Sequence, residues 1–493
     1  MNTISWLVSR IRPYRDYLIP AAVYGMAFGA FYRLGVDAFR IEWMYYWQLL
    51  DQVALAEEPV QSLYLLHAQP PLLNTLLALL LELSEVSGIT PESWAWCVFG
   101  LLGLASTVLL FRILVDVSSS RVLAVVGLIL ILANPAYHVF QSLFFYPFLL
   151  YAFLVAVLFL SLRTLSTGHT KLLVSFAVML GLVTNTWSLF HPVWAVLAYV
   201  LLVALLYLRH RGQGKLQWTY VGASAAVLGV LMVAWPLKNY LVFGQFTFSS
   251  WQGYNLSRET EIRSRVLEDY MLAGIVPEPT LEEIAEFQGK HSLAHIDVLS
   301  QTLTAAGGRN WNHYVLLEVN EPLKRASIRY RLDNPAQWLR LIGRNYVAWT
   351  QASHIQPYLG TFLGPNDPAY QSYARIYDNL FFLDVRPWLE PHAPGLFQGL
   401  EVHGRPLPMT VFGVLTFPLL MITALLMVLK QCKGRQFLQA GRILIPWFTL
   451  FWLLLIPCLT DGSEGNRMRF AATSYLVVLA AAVTKELVRP SKQ

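Results

Sequence analysis

Long apolar stretches with few or no charged residues recur along the chain and alternate with short polar segments. A helix that crosses a lipid bilayer needs about 20 consecutive apolar residues. Single stretches of that kind fit near residues 17–35, 93–115, 218–237, 407–430, 442–460 and 466–485. Two longer stretches, 121–163 and 171–209, each have room for two spans, with turns at Asn134-Pro135 and at 185–192. The pattern predicts an α-helical polytopic membrane protein with about ten transmembrane helices.

The composition also indicates that lipid, rather than water, surrounds much of the protein. Of 493 residues, 56% are hydrophobic and 13% are charged, whereas soluble domains carry about 25% charged residues. The formal net charge is +6, but the basic residues lie in short segments between apolar stretches rather than on one soluble face. Membrane lipids are therefore expected partners, and nucleic acid is not. The three cysteines lack the spacing of zinc sites or disulfide frameworks.

The basic residues orient the predicted spans. In a ten-span layout, those near the spans collect on one side: Arg10, Arg12, Arg15, Arg112, Arg121, Arg163, Lys171, Arg209, Arg211, Lys215, Lys430, Lys433, Arg435, Arg442, Lys485, Arg489 and Lys492. The loop at 36–92 instead holds eight acids and one base, Arg40. Because basic loops stay in the cytoplasm, both termini are expected there and the loop outside. The bacterial inner membrane is the favoured location, although an endoplasmic reticulum membrane would give the same topology.

Three parts of the chain follow from this layout. Residues 1–237 form an N-terminal membrane domain with about seven spans, including the first external loop at 36–92. Residues 238–406 are too polar to span and are expected to form an external, periplasmic soluble domain. Residues 407–493 form a C-terminal membrane domain with about three spans. Within the first loop, Trp43, Tyr46, Trp47 and Leu50 recur at helical spacing, which predicts interfacial helices.

The first external loop also carries candidate catalytic carboxylates: Asp37, Glu42 and Asp51. A carboxylate held at the membrane surface, facing a partly dehydrated cavity, suits the role of general base on a hydroxyl or amine. The alternative is that these acids only solvate an interfacial helix.

Cations recur near span ends on the same external side. Arg467 and Arg469 open the last predicted span beside Glu464, and Lys238 follows the stretch at 218–237. Two guanidinium groups and an ammonium group could hold a phosphate or pyrophosphate through charge-assisted hydrogen bonds. The alternative is interfacial contact with lipid headgroups.

Other polar and aromatic residues lie close to these cations and acids in the predicted layout. They are His67, Gln69, His138, Tyr146, Asn239, Ser250, Trp251 and Asn255. No partner spacing favours metal ligation by His67 or His138, so a structural or substrate-contacting role is expected. Trp251 could stack on a sugar or anchor the chain at the interface.

With these motifs placed, the chain resembles the GT-C superfamily of membrane glycosyltransferases, which includes the protein O-mannosyltransferases and the lipid A aminoarabinose transferase. The resemblance covers most of the chain as a layout. Its specific motifs are Tyr46-Trp47-Gln48-Leu49-Leu50-Asp51, His67-Ala68-Gln69-Pro70-Pro71, Lys238-Asn239 with Phe243-Gly244 and Ser249-Ser250-Trp251, and Glu464 with Asn466-Arg467 and Arg469. The family pattern of an adjacent acidic pair before a tyrosine is missing here.

The resemblance implies inverting transfer of a sugar from a polyprenyl-phosphate donor to an external glycan, lipid or protein acceptor. A first-loop acid would be the base, with Asp51 favoured narrowly over Glu42 and Asp37. Lys238, Arg467, Arg469, His67 and Gln69 would bind the donor and its phosphate. Asn239, Ser250, Trp251, Asn255, Glu464, Tyr146 and His138 would contact substrate. No cofactor is assigned, and a divalent cation is left open because carboxylates and phosphate can recruit one.

Two other classes of protein share many of these features. A transporter or flippase of lipid-linked sugars would have the same hydrophobicity, orientation and polar external mouth, but it should carry ionisable residues in mid-span, and this chain has almost none. A membrane-anchored sugar-binding or assembly protein would need no acid beside a cationic phosphate site.

Overall fold

The protein is described from a computed structural model. The structure describes residues 14–36, 39, 49–210, 216–257, 296–301, 303–305, 307, 310–356, 361–362, 365–397, 400–402, 405–460 and 465–488. Asp37, Glu42, Glu464 and the predicted interfacial helix around 43–47 lie outside these residues.

The N-terminal half consists of helices. They are α1 (Arg15–Arg33), α2 (Gln52–Glu57), α3 (Pro59–Leu65), α4 (Leu72–Ser87), α5 (Pro91–Ser118), α6 (Arg121–Leu132), α7 (Pro135–Gln141), α8 (Tyr146–Thr167), α9 (Leu172–Thr184), α10 (Pro192–His210) and α11 (Trp218–Phe243). Their ends follow local chemistry. Thr90 caps α5 by accepting from the Ser93 N–H at 3.3 Å, and α11 ends where Gly244 adopts a φ of 73°, a backbone conformation that glycine adopts readily.

The second half adds shorter helices, two small hairpins and the C-terminal helices. The helices are α12 (Gln252–Ser257), α13 (Asp297–Ser300), α14 (Val315–Asp333), α15 (Pro335–Trp349), α16 (Pro368–Phe381), α17 (Arg386–Leu389), α18 (Phe417–Lys433), α19 (Phe437–Thr460), α20 (Gly465–Phe470) and α21 (Thr473–Val488). A 3₁₀ turn covers Pro394–Phe397, and a π-helical turn at Phe412–Thr416 precedes α18. The antiparallel hairpins pair β1 (Ile355–Gln356) with β2 (Thr361–Phe362), and β3 (Glu401–Val402) with β4 (Arg405–Pro406).

Six of the described helices are long and apolar enough to cross a membrane, or seven if the bent pair α6 and α7 counts as one span. The six are α5, α8, α10, α11, the continuous helix Phe412–Lys433 that contains α18, and α19. This confirms a helical polytopic membrane protein.

The structure differs from the predicted spans where helices are short or broken. The Asn134-Pro135 turn is a 65° bend between α6 and α7 rather than the tip of a hairpin. Pro135 has no N–H to continue the helical bonding, and Asn134 Oδ1 accepts from the Ala136 N–H at 3.0 Å. The last predicted span is divided into α20 and α21. Helix α9 has 13 residues, too few to span alone.

Helix α8 lies at the centre of the bundle, with 67% of its span buried, more than any other of the six. It packs against α5, α9 and α19, and the Tyr475 hydroxyl of α21 donates to the Leu154 carbonyl of α8 at 2.8 Å. Burial of so many apolar side chains fixes the arrangement of the spanning helices by close packing.

Two features tie the segments between α11 and α18 to the bundle. Trp349 at the end of α15 is fully buried, and its Nε1 donates to the Leu453 carbonyl of α19 at 2.8 Å. A second apolar cluster, which includes Trp251 and Tyr314, joins the end of α3 to α14. These contacts place α12, α14 and α15 over one end of the bundle.

Candidate functional site

A cavity of about 1120 Å³ lies at one end of the bundle, where α8 and α10 begin and α11 and α19 end. The segments over that end, α12, α14 and α15, contribute its other walls. A cavity of this size can take a ligand larger than a single sugar.

The structure brings together five of the residues singled out from the sequence. Gln69, Tyr146, Trp251, Asn255 and Arg467 all line the cavity. They come from four separate segments of the chain, since Trp251 and Asn255 are neighbours at α12. Their convergence therefore depends on the tertiary fold rather than on sequence spacing.

Two cations that line the cavity are not predicted from the sequence. Lys324 and Arg331 lie on α14 and face the cavity. The Arg331 Nη2 donates to the Leu256 carbonyl at 2.7 Å, and burial lowers the pKa of its guanidinium from the ordinary value. The Lys324 Nζ lies 3.1 Å from Glu321 Oε1. In the sequence, α14 is only an amphipathic helix with mixed charges, which gives no signal for these two residues.

The charge on the described cavity wall is positive. Arg467, Lys324 and Arg331 line it, and no aspartate or glutamate is among the described lining residues. Arg467 is oriented by Phe145, whose ring centre lies 5.1 Å from the guanidinium carbon. A cationic wall in a partly dehydrated cavity favours an anionic ligand, and guanidinium groups suit phosphate oxygens.

Aromatic rings form another part of the wall. Five tryptophans line it: Trp187, Trp251, Trp311, Trp338 and Trp452. Trp251 is held edge-on to Trp311 at 4.8 Å between ring centres, and its Nε1 donates to the Trp311 carbonyl at 3.2 Å. Such rings can stack on sugar faces or on an apolar chain.

The cavity continues along the apolar faces of spanning helices. Met232 and Val233 of α11 and Ile456 and Leu459 of α19 line it. A ligand with an apolar tail could therefore have its polar end at the cations and its tail between these helices, at membrane depth.

His67 and Ser250 lie outside the cavity wall, in a buried junction. His67 is fully buried, and its Nδ1 lies 2.8 Å from Ser250 Oγ. Asn312 Oδ1 accepts from the N–H groups of both His67 and Ala68, at 2.9 and 3.0 Å. Burial, followed by the positive charge of Lys238, lowers the pKa of His67 to about 3. The imidazole is therefore neutral and joins two loops instead of supplying a cation.

Lys238 and Asn239 bind carbonyl groups inside the protein. The Lys238 Nζ donates to the Leu66 carbonyl and lies 3.8 Å from the Trp235 ring centre. Asn239 is fully buried, and its Nδ2 donates to the Thr247 carbonyl at 2.7 Å. Neither side chain lines the cavity, so both shape the turn and loop that follow α11.

Arg469 is a buried structural cation. Its Nη2 donates to the Gln351 carbonyl at 2.6 Å, and its guanidinium carbon lies 4.9 Å from the ring centres of both Phe382 and Phe412. Nearby, Asn466 Nδ2 donates to the Ala352 carbonyl at 2.8 Å. These contacts hold α20 against the segment after α15 and so fix the position of Arg467 at the cavity.

His138 lies apart from the cavity, within the bundle. Its Nε2 is 2.8 Å from the Leu132 carbonyl at the end of α6, and its ring stacks on Phe31 with centres 4.0 Å apart. This places His138 at the bend between α6 and α7.

Asp51 is the one predicted catalytic acid among the described residues. It caps α2, since its Oδ1 accepts from the Val53 N–H at 2.9 Å, and its Oδ2 accepts from the Ala305 N–H. Asp51 is not among the described residues that line the cavity.

Among the described residues, no group of three or more histidine, cysteine, aspartate or glutamate side chains is placed to hold a metal ion. A scan against models of known protein families found no match, and neither did a search of curated proteins. The cavity and its lining residues are therefore the main basis for a functional proposal.

Proposed function

We propose that the protein is a membrane glycosyltransferase that moves a sugar from a polyprenyl-phosphate donor to an acceptor on the non-cytoplasmic side. The observation that carries the proposal is the composition of the 1120 Å³ cavity, with cations, tryptophans and apolar helix faces lining one space. Such a donor has three matching parts: a phosphate, a sugar and an isoprenoid chain.

In this proposal the cations bind the phosphate that leaves. The acceptor hydroxyl attacks the anomeric carbon, its proton passes to a carboxylate, and the bond from that carbon to the phosphate oxygen breaks. Negative charge then grows on polyprenyl phosphate, where fixed cations stabilise the transition state most. Arg467 is the first choice for this role, and Arg331 and Lys324 line the same cavity.

The sugar and the chain are assigned to the other walls. Trp251, Gln69 and Asn255 offer a ring and amide groups for the sugar, and Tyr146 closes the wall at the start of α8. The isoprenoid chain would lie between α11 and α19.

The general base is proposed to be one of the first-loop acids: Asp37, Glu42 or Asp51. Asp51 already accepts two backbone hydrogen bonds, one on each carboxylate oxygen, so both oxygens have partners within the protein. Asp51 is therefore no longer preferred over Glu42 and Asp37 as the general base, and the experiment tests all three.

The finer topology belongs to the same proposal. We propose about ten spans with both termini in the cytoplasm, as the distribution of basic residues favours. Residues 238–406 would then lie on the external side, which in a bacterial inner membrane is the periplasm. The large cavity would open on that side, within reach of external acceptors.

The experiment is a donor turnover assay on protein reconstituted in nanodiscs. A panel of polyprenyl-phosphate sugars is offered to the wild type and to Asp37→Asn, Glu42→Gln and Asp51→Asn, with crude membrane extract as the source of acceptor. We expect release of polyprenyl phosphate by the wild type and its loss in one amide variant. If no donor in the panel is turned over, while labelled donor still crosses the bilayer of proteoliposomes, a flippase of lipid-linked sugars replaces the enzyme.

A further inference from the structure

A second cavity of about 210 Å³ lies at the other end of the bundle, between α1, α5 and α8. Arg163 lines it and Tyr146 lines the large cavity, and both belong to α8. At a rise of 1.5 Å per residue, the 17 residue steps from Tyr146 to Arg163 span about 25 Å. The two cavities are thus separated by most of the thickness of a membrane, and one ligand does not fill both.

The position of this cavity fits the level of lipid headgroups. Helix α5 has 28 residues and measures about 42 Å, which is the thickness of a bilayer with its headgroup regions. Arg112 and Asp116 lie in its last two turns, and both line the cavity. Phe111 and Phe159 form an apolar floor beneath these charged groups.

Only one of the charged side chains that line this cavity has an ion-pair partner among the described residues. Asp16 pairs with Arg121, whose Nε lies 2.9 Å from its Oδ1. Arg112, Arg163 and Asp116 form no ion pair within 4.0 Å in the part of the chain that the structure describes, although the Arg112 guanidinium lies 4.6 Å over the Tyr17 ring. Two guanidinium groups and one carboxylate therefore remain for a ligand.

We propose that this cavity binds an aminoethyl phosphate group, as in the headgroup of phosphatidylethanolamine. The phosphate would accept hydrogen bonds from Arg112 and Arg163, and the ammonium would bind Asp116. The cavity of about 210 Å³ has room for a group with a phosphate, two carbons and an amine. The apolar floor would meet the start of the lipid tails. The proposal is independent of the glycosyltransferase function.

The test is native mass spectrometry of the full chain, released from nanodiscs that contain equal amounts of phosphatidylethanolamine and phosphatidylglycerol. We expect the wild type to retain phosphatidylethanolamine preferentially. Arg112→Gln/Arg163→Gln should lower that retention by about tenfold or more, as expected when charge-assisted hydrogen bonds are removed. Asp116→Asn should remove the preference between the two lipids while retaining phosphate binding.

Matched controls separate a specific site from general basic charge. Lys171→Gln removes an exposed cation near the end of α8, outside the cavity, and should retain lipid as the wild type does. Arg163 is exposed, so the single variant Arg163→Gln should fold and repeats the test if the double variant folds poorly. Equal retention of both lipids by the wild type would overturn the ammonium site. Unchanged retention in the arginine variants would overturn the phosphate site, and tighter binding of free phosphoethanolamine than of the lipid would overturn the lipid as ligand.

Discussion

The Nδ1 atom of His67 lies 2.8 Å from the Oγ atom of Ser250, and this buried contact joins the segment between α3 and α4 to the loop that follows α11. Gln69 follows His67 by two residues and Trp251 follows Ser250 directly, and both line the large cavity. The junction therefore sets the position of one wall of the cavity.

The His67 junction should give the protein a characteristic pH dependence. His313 follows Asn312 in the chain, and its Nε2 lies 3.2 Å from the Ser300 carbonyl. Burial holds the pKa of His67 at about 3 and that of His313 at about 4, against about 6.5 in an unfolded chain. The folded state keeps both rings neutral, so below pH 6.5 the unfolded chain takes up protons that the folded chain does not. The contribution of the two neutral rings to the free energy of unfolding is complete above pH 6.5. It is lost as the pH falls, by up to about 1.4 kcal/mol per pH unit for each ring.

The measurement is thermal unfolding in detergent between pH 7 and pH 4.5. His67→Gln cannot take up the proton, so its unfolding temperature should fall less steeply with acidification than that of the wild type. The exposed His169→Gln serves as the control and should follow the wild-type profile. Equal slopes for wild type and His67→Gln would show that His67 is not held neutral by burial.

Asn312 should be essential to the same junction. Its Oδ1 accepts two backbone hydrogen bonds and its Nδ2 donates to the Leu65 carbonyl at 3.0 Å. Asn312→Ala leaves two buried N–H groups and one carbonyl without this partner, which should cost about 2 to 4 kcal/mol. Thermal unfolding of this variant and of His67→Gln would measure the difference, and an unchanged unfolding temperature for Asn312→Ala would contradict the junction.

Arg467 and Arg469 should respond differently to the same substitution. Arg469→Gln removes a buried cation from the Gln351 carbonyl and from two aromatic rings, and should cost about 2 kcal/mol of stability. Arg467→Gln removes a half-buried cation that lies 5.1 Å from the Phe145 ring centre at the cavity wall, so it should cost less, about 0.5 to 1 kcal/mol. Thermal unfolding of both variants tests this order, and a larger loss for Arg467→Gln would reverse the two roles.

Asp51 should show the signature of a helix cap. Asn accepts the same Val53 hydrogen bond, so Asp51→Asn should retain the stability of the wild type, whereas Asp51→Ala should lose about 1 kcal/mol. Unfolding temperatures of the two variants provide the comparison. Equal losses in both would show that charge, rather than capping, is what Asp51 contributes.

Spans could be predicted where local composition decides the outcome, as for α5, α8, α10, α11 and α19. Breaks could be predicted where the sequence marks a turn, at Asn134-Pro135 and at 185–192. The packing around them could not, because it depends on contacts between distant segments. Helix α9 ends at Asn185, whose Nδ2 donates to the Leu231 carbonyl of α11 at 3.1 Å. Just before it, Gly181 lets Leu231 approach so closely that a Cβ atom there would overlap its side chain.

The candidate site was predictable only in part for a similar reason. A basic residue near the end of a span looks the same in sequence whether it binds a phosphate or a backbone carbonyl. Arg467 lines the cavity, while Lys238 and Arg469 donate to Leu66 and Gln351. Lys324 and Arg331 reach the wall from a helix more than 70 residues beyond Trp251 in sequence, a distance across which periodicity gives no information.

The most direct test of the account is the release of polyprenyl phosphate by wild-type protein and by Arg467→Gln, with each donor of the panel. The exposed Arg375→Gln, on α16 and outside the cavity wall, is the matched control. We predict turnover of at least one donor by the wild type and by Arg375→Gln, and a loss of about 100-fold in Arg467→Gln, as expected when a group that stabilises the leaving phosphate is removed. Absence of release with every donor, or equal release by Arg467→Gln, would contradict the assignment of the cavity as the donor site of a glycosyltransferase.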